Sequence, residues 1–156
     1  MKKQTVIGLL MATVLFAGCT TAPEKKAENK SLPVIEAGAA QKTADAFMTQ
    51  FLAALKAGDS KKLDTALLSE SVAKNLTQAS FSKYCEGVDK HLGKVINSVY
   101  VCDLSNPLYR TFTWKLTMER KSVKPDGKPI IADILFHIQI IRVDDQYKVL
   151  NFIINR

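Results

Sequence analysis

The sequence predicts an α+β fold, with three N-terminal helices packed on one face of a curved four-stranded antiparallel sheet. Three observations predict it. Apolar residues recur at helical spacing from about Gln41 to Gly93. From Val95 onward the period falls to two. The two patterns are segregated along the chain rather than alternating, which gathers the helices on one side of an antiparallel sheet. The 156 residues are 47% hydrophobic and 24% charged, a balance that permits one globular domain and excludes disorder of the whole.

The first helix carries Ala44, Phe47, Met48, Phe51, Leu52 and Leu55 on one face. Gly58 ends it in the left-handed conformation that glycine adopts without strain. Asp59 or Ser60 caps a second helix that turns Leu63, Leu67 and Leu68 inward. A loop follows near Asn75 to Ala79, and Ser80 caps a third helix over 81–92, with Phe81, Tyr84, Cys85, Val88 and Leu92 apolar. Gly93 closes it. His91, in its last turn, interacts favourably with the helix dipole when protonated, a stabilising role.

Residues 95–103 alternate loosely around Val95, Val99 and Val101. Residues 109–121 alternate cleanly, with Phe112, Trp114, Leu116 and Met118 on one face and Thr111, Thr113, Lys115, Thr117 and Glu119 on the other. Pro125, Asp126 and Gly127 make a hairpin turn. Residues 129–143 form a long strand whose even face holds Ile130, Ala132, Ile134, Phe136, Ile138 and Ile140. Asp144 and Asp145 turn the chain into a last strand over 147–155.

The stretch AxxFMxxFLxALKAGDSxKL, then His91-Leu92-Gly93, then a meander ending in DDQYKVLNFII, resembles the nuclear-transport-factor-2-like superfamily over about residues 41–156. The resemblance implies a cone closed by three helices. Members include small exported lipoproteins, binding modules, isomerases and dehydratases, so fold alone does not choose a function.

The N-terminus carries an address. Residues 1–19 read MKKQTVIGLLMATVLFAGC: two lysines, an apolar run too short to span a bilayer comfortably, then small residues and a cysteine. Leu15 to Cys19 resembles the lipobox of bacterial lipoproteins, with Phe16 where Leu is usual. The resemblance implies a signal peptide over 1–18 and acylation of Cys19, whose chains anchor the protein to a membrane. Thr20, a residue other than Asp, implies sorting to the outer membrane, facing the periplasm, in a host with two membranes. Residues 19–40, rich in Ala, Lys, Glu and Pro, read as the acylated cysteine and a flexible tether; one domain follows over 41–156.

The formal charge of +7 becomes +5 without Lys2 and Lys3. The basic residues are scattered and no aromatics interleave with them, so no nucleic-acid groove is expected. With two histidines and no CxxC or HxxxH spacing, neither a metal nor another cofactor is expected. Cys85 and Cys102 are a candidate disulfide in an oxidising compartment, adding about 3 kcal/mol in the chain-entropy picture; the alternative is two unpaired buried thiols.

Asp133 and His137, with Gln139 beyond, share one face of the long strand and are the candidate acid–base pair. That face is opposite the apolar one, so it is the outer face if the even face meets the helices. Tyr100 and Tyr109 are candidate rim residues. Phe47, Trp114, Met118 and Phe136, with Phe112, are the candidate lining of an apolar pocket. The expected function is a membrane-anchored, non-enzymatic binding module for another envelope protein or an apolar small ligand. An isomerase or dehydratase is the alternative. Ile131, Leu135 and Ile141 on the outer face make a homodimer conceivable.

Overall fold

The computed structural model describes residues 35–122 and 127–155. The expected signal segment, Cys19 and most of the tether therefore lie outside the described residues, as do Pro125 and Asp126 of the expected turn. Helix α1 spans Ala37–Ala57 and starts earlier than the sequence pattern implied. Its N-terminal end belongs to the folded body: Ile35, Ala40 and Ala44 are buried, and Tyr147 Oη accepts a hydrogen bond from the Glu36 backbone at 3.2 Å. The small alanines let this end approach the sheet closely. Gly58, at φ 64°, ends α1, its N–H directed to the Ala54 and Leu55 carbonyls.

The expected second helix over Leu63 to Leu68 is replaced by two 3-10 turns, Ser60–Lys62 and Thr65–Leu67. The reason is side-chain competition for the backbone. Asp59 accepts from the Lys61 N–H at 3.0 Å, and Asp64 accepts from the Ala66 N–H at 2.8 Å, so each aspartate starts a new turn. Leu63 and Leu68 are still buried, as expected. Helix α2, Glu70–Asn75, then occupies the approach to the expected loop. Helix α3 spans Gln78–His91 and is capped by Thr77, which accepts from the Ser80 N–H at 3.1 Å. Ser80, the expected cap, instead donates to the Asn75 carbonyl at 2.9 Å.

Four antiparallel strands follow in the order β1-β2-β3-β4: Lys94–Ser105, Arg110–Arg120, Ile130–Val143 and Gln146–Asn155. The β2–β3 register is unbroken from Arg110↔Ile140 to Arg120↔Ile130. It pairs Trp114 with Phe136 and Leu116 with Ile134, so both strands present their apolar faces to the same side. Asp144 and Asp145, at φ 47° and 62°, make the two-residue turn into β4, the double left-handed geometry of a type I′ hairpin. β1 carries register shifts at Ile96 and Val101, which explains its loose alternation in the sequence.

The core lies between α1 and strands β2, β3 and β4. Phe51 stacks on Phe136 at 4.7 Å and also meets Phe47, Phe81, Tyr84 and Phe152. The even face of β3 is buried from Ile134 to Ile140 but exposed at Ile130 and Ala132. The open edge of the sheet is β1, where Ile96, Val99, Tyr100, Val101 and Leu104 are exposed.

Candidate functional site

A groove of about 880 Å³ lies between the last turns of α1, the second half of α3 and the first residues of β1. Helical spacing puts Leu52, Leu55 and Lys56 on one line of α1, at i, i+3 and i+4. The same rule aligns Cys85, Val88 and Asp89 on α3, with Glu86 beside them. Phe51 and Ala54 on α1, and Phe81 on α3, are buried in the core, which leaves Leu52, Leu55 and Cys85 at its margin, half-buried. The strand wall is Gly93 to Ser98. The walls are therefore aliphatic, through Leu52, Leu55, Val88, Val95 and Ile96, and among the described residues no aromatic side chain lines them.

Gly93 makes this geometry. It joins α3 to β1 at φ 89°, and a Cβ there would sit 2.1 Å from the Glu119 carbonyl oxygen. Only glycine allows the start of β1 to lie this close to β2. Arg120 Nη1 donates to the His91 carbonyl at 3.2 Å and ties down the same junction. His91 thus sits in the last turn of α3 as expected, with its carbonyl engaged.

Lys56 on α1 and Glu86 and Asp89 on α3 carry the groove's charge, while Lys94, the first residue of β1, stands opposite Glu119 on the outer face of the sheet. Among the described residues the ion pairs are Glu70–Lys74, Asp103–Arg110, Asp133–Lys115 and Asp145–Arg142, so none of Lys56, Glu86 and Asp89 is paired. Burial pushes the Cys85 thiol up, and neighbouring Glu86 adds to the effect. Cys85 is thus held as a neutral thiol that adds to the apolar wall.

The expected Cys85–Cys102 bridge is not formed; both cysteines are free. Cys102 lies eight residues along β1 from Lys94, roughly 26 Å at strand rise. Cys85 lies only six residues back along α3 from His91, about 9 Å at helix rise. The helix runs out before it reaches Cys102, and the groove wall opposite Cys85 ends at Ser98. A disulfide needs Cα atoms within about 7 Å.

The expected pocket residues do not line the groove. Phe47, Met118 and Phe136 are fully buried and Trp114 is 5% exposed, all in the core between α1 and the sheet. The largest apolar side chains fill the helix-facing side of the sheet instead of enclosing a space on it.

Asp133 and His137 are on the outer face of the sheet. Thr117 Oγ1 donates to Asp133 at 2.8 Å, and Lys115 Nζ is 3.1 Å from its other oxygen. The Thr117 and Lys115 contacts hold the Asp133 carboxyl below its ordinary range. His137 Nδ1 lies 2.9 Å from Thr113 Oγ1. Leu135 separates the two residues, each engaged by its own β2 neighbour, and neither faces the groove. Gln139 continues the same row, opposite Thr111.

Tyr100 lies on the open side of β1, edge-on to Trp114, and donates to Asp103 at 3.0 Å. Desolvation and then that hydrogen bond push its hydroxyl up to about 12. Arg110 Nε donates to the other oxygen of Asp103 at 2.5 Å. Tyr109, in the β1–β2 hairpin, receives the Asn106 N–H on its carbonyl at 3.0 Å. Tyr100 and Tyr109 are thus part of the hairpin end of the sheet, away from the groove. Among the described residues, no group of three or more His, Cys, Asp or Glu side chains is placed to hold a metal ion, and no helix is long and apolar enough to cross a membrane.

No protein-family model matches the chain, and no curated protein matches it. Solved structures similar to it in shape include two. One is the intermembrane space region of the chloroplast protein ARC6, at 8% identity and a TM-score of 0.42, over 79% of this chain and 98% of that one. The other is a Campylobacter jejuni protein described as an NTF2-like transpeptidase, at 12% identity and a TM-score of 0.37, over 67% of this chain and 94% of that one. What is established is the α+β architecture itself, helices on a four-stranded antiparallel sheet.

Proposed function

We propose that this chain is a lipid-anchored envelope binding module, with the cone of the nuclear-transport-factor-2-like superfamily, whose α1–α3–β1 groove takes the aliphatic part of a small amphipathic molecule. The observation that carries the reading is the groove: about 880 Å³, aliphatic on its walls and charged at its rim. Its size falls within the roughly 300–1,000 Å³ of small-molecule sites. The lipobox-like run ending at Cys19 supports a module held at a membrane surface, where amphiphiles are abundant. Ten buried methylenes contribute roughly 8 kcal/mol, about a micromolar complex before the cost of association is subtracted. The ligand therefore needs a long chain, or rim contacts of the kind Lys56, Glu86 and Asp89 can make.

Thiol reactivity tests this. In the mature protein, held in an amphipathic polymer, Cys85 on the groove wall and Cys102 on the open strand are an internal pair. A saturating single-chain amphiphile slows modification of Cys85 and leaves Cys102 unchanged. Equal effects on both, or none on either, contradict the reading.

A second reading, a protein-interaction module, is favoured by one observation. Val99, Val101, Leu104 and Leu108 are exposed on β1 and its hairpin, and β1 is an open sheet edge. Such an edge accepts a strand from a partner. Photocrosslinking from position 104 in intact cells tests it; recovery of the monomer alone counts against it.

A further inference from the structure

We infer that β1 is a self-pairing edge: two copies of this chain join their sheets by laying β1 antiparallel against β1, about a two-fold axis between Val101 and Cys102. This rests on the second reading above, an edge that accepts a strand, and commits it to one partner. β4, the other edge strand, is met by the chain before α2: Leu68 bridges to Val149, and the Ser69 N–H donates to the Val149 carbonyl at 2.9 Å. Among the described residues nothing pairs with the free side of β1. Edge strands are ordinarily guarded by lysine or proline. From Val95 to Cys102, β1 carries no charge and no proline.

The bulge at Val101 selects the partner. Residues opposite each other on β1 and β2 share a face of the sheet. Val99 lies opposite Lys115 and Leu104 opposite Thr111, so both are on the outer face. Tyr100 lies opposite Trp114 and Asp103 opposite Phe112, so both are on the helix-facing side. A regular strand has to skip a residue at Val101, as β2 does between Trp114 and Thr113. A second copy carries the same shift and pairs residue for residue. Val99 meets the partner's Leu104, Tyr100 the partner's Asp103 and Ser98 the partner's Ser105, each pair on one face. Ile96, Val99, Val101, Leu104 and Leu108 are half to two-thirds exposed, and covering them with Tyr100 removes roughly 300 Å² of apolar surface per copy. At the usual apolar share this is about 1,000 Å² over both copies, the lower bound of a specific interface. The Cys19 anchor proposed above adds to it by holding both copies on one surface, which raises their effective concentration.

Register-specific disulfide trapping tests this on the full mature protein in the membranes of the expressing cells, with Cys85→Ser and Cys102→Ser as the background. Val99→Cys and Leu104→Cys are placed in separate copies. The register sets position 99 about 5 Å from position 104 of the other copy and roughly 17 Å from its own mate, against a disulfide reach of about 7 Å between Cα atoms. Copper–phenanthroline is the catalyst, and oxygen takes the two thiol hydrogens. Co-expressed copies are expected to give about tenfold more cross-linked dimer than either variant alone, because only they place the thiols within reach. In the unsubstituted protein Cys102 stands about 6 Å from its mate, so the same oxidation gives a dimer that Cys102→Ser abolishes and Cys85→Ser does not. No dimer from the co-expressed pair, or as much from either variant alone, overturns self-pairing. Photocrosslinking from position 104 then separates the two readings. Capture of a different protein leaves the strand-accepting edge standing without self-pairing, and recovery of the monomer alone removes both.

Discussion

Two glycines six residues apart are expected to respond to alanine with opposite signs. At Gly93 an added Cβ would lie 2.1 Å from the Glu119 carbonyl oxygen, 2.6 Å from its carbon and 2.8 Å from the Arg120 Cα. All three are main-chain atoms of β2, held by hydrogen bonds to β1, so no side chain can swing aside. The residue also sits at φ 89°, which a side chain rarely adopts. Left-handed backbone costs roughly 1–2 kcal/mol and forced overpacking roughly 1–3 kcal/mol, so Gly93→Ala loses about 3 kcal/mol. At Gly87, inside α3, an added Cβ meets nothing within 4 Å. There alanine gains up to about 1 kcal/mol from helix propensity and a less flexible unfolded chain. Trp114, the single tryptophan, is buried, so its fluorescence reports urea unfolding of the whole core. With a slope of about 1.5–2 kcal/mol per molar, Gly93→Ala lowers the midpoint by about 1.5–2 M and Gly87→Ala raises it by a few tenths. A Gly93→Ala midpoint within 0.3 M of the parent, on the order of 0.5 kcal/mol, refutes the tight α3–β1 junction and the groove wall built on it.

Three further outcomes are expected. Phe51→Ala removes the ring that touches five other aromatics and costs about 3–5 kcal/mol in the same urea titration; a loss below about 1 kcal/mol would mean this cluster is not the centre of the core. The Tyr84 hydroxyl is buried without a hydrogen-bond partner, so Tyr84→Phe is neutral or stabilises by about 1 kcal/mol. Because burial raises the Tyr84 pKa above 10.0, its contribution is present below that pH and declines as pH rises through the alkaline range. Tyr84→Phe therefore flattens the alkaline limb of the stability curve; an unchanged limb contradicts the burial. The Asp133 carboxyl has a lowered pKa, so its contribution is present above pH 3.8 and is lost as pH falls through its folded value. Asp133→Asn removes that small acid-side dependence, and an NMR titration showing an Asp133 pKa at or above 3.8 would refute the Thr117 and Lys115 contacts.

The sheet was the most legible part of the molecule. Residues 109–121 and 129–143 alternate because one face of each strand meets the core, and period two survives wherever that is so. The same alternation located Asp133 and His137 on the outer face once the even positions were assigned inward. β1 was blurred because bulges at Ile96 and Val101 twice reverse its phase. The region after Gly58 misled for a different reason: Leu63, Leu67 and Leu68 keep helical spacing, while Asp59 and Asp64 break the backbone into separate turns.

The groove was illegible because its lining has the same chemistry as the core. Leu52, Leu55, Val88 and Val95 read as buried positions, and the biggest side chains, Phe47, Met118 and Phe136, were the natural candidates for a pocket. Big side chains close space, and the groove lies where the apolar stripe of α1 extends past the sheet it covers. That width was the available signal, since Leu52 sits about 100° around the helix from Phe51. The two cysteines misled because parity says nothing of position along an element.

The most direct test of the amphiphile groove is a methyl NOE experiment on the protein saturated with a single-chain amphiphile. The account predicts NOEs from the alkyl chain to Leu52, Leu55, Val88 and Val95, and none to the fully buried Leu116 and Ile138. NOEs confined to Val99, Val101 and Leu104 on the open strand, or the absence of any to the groove, would contradict it.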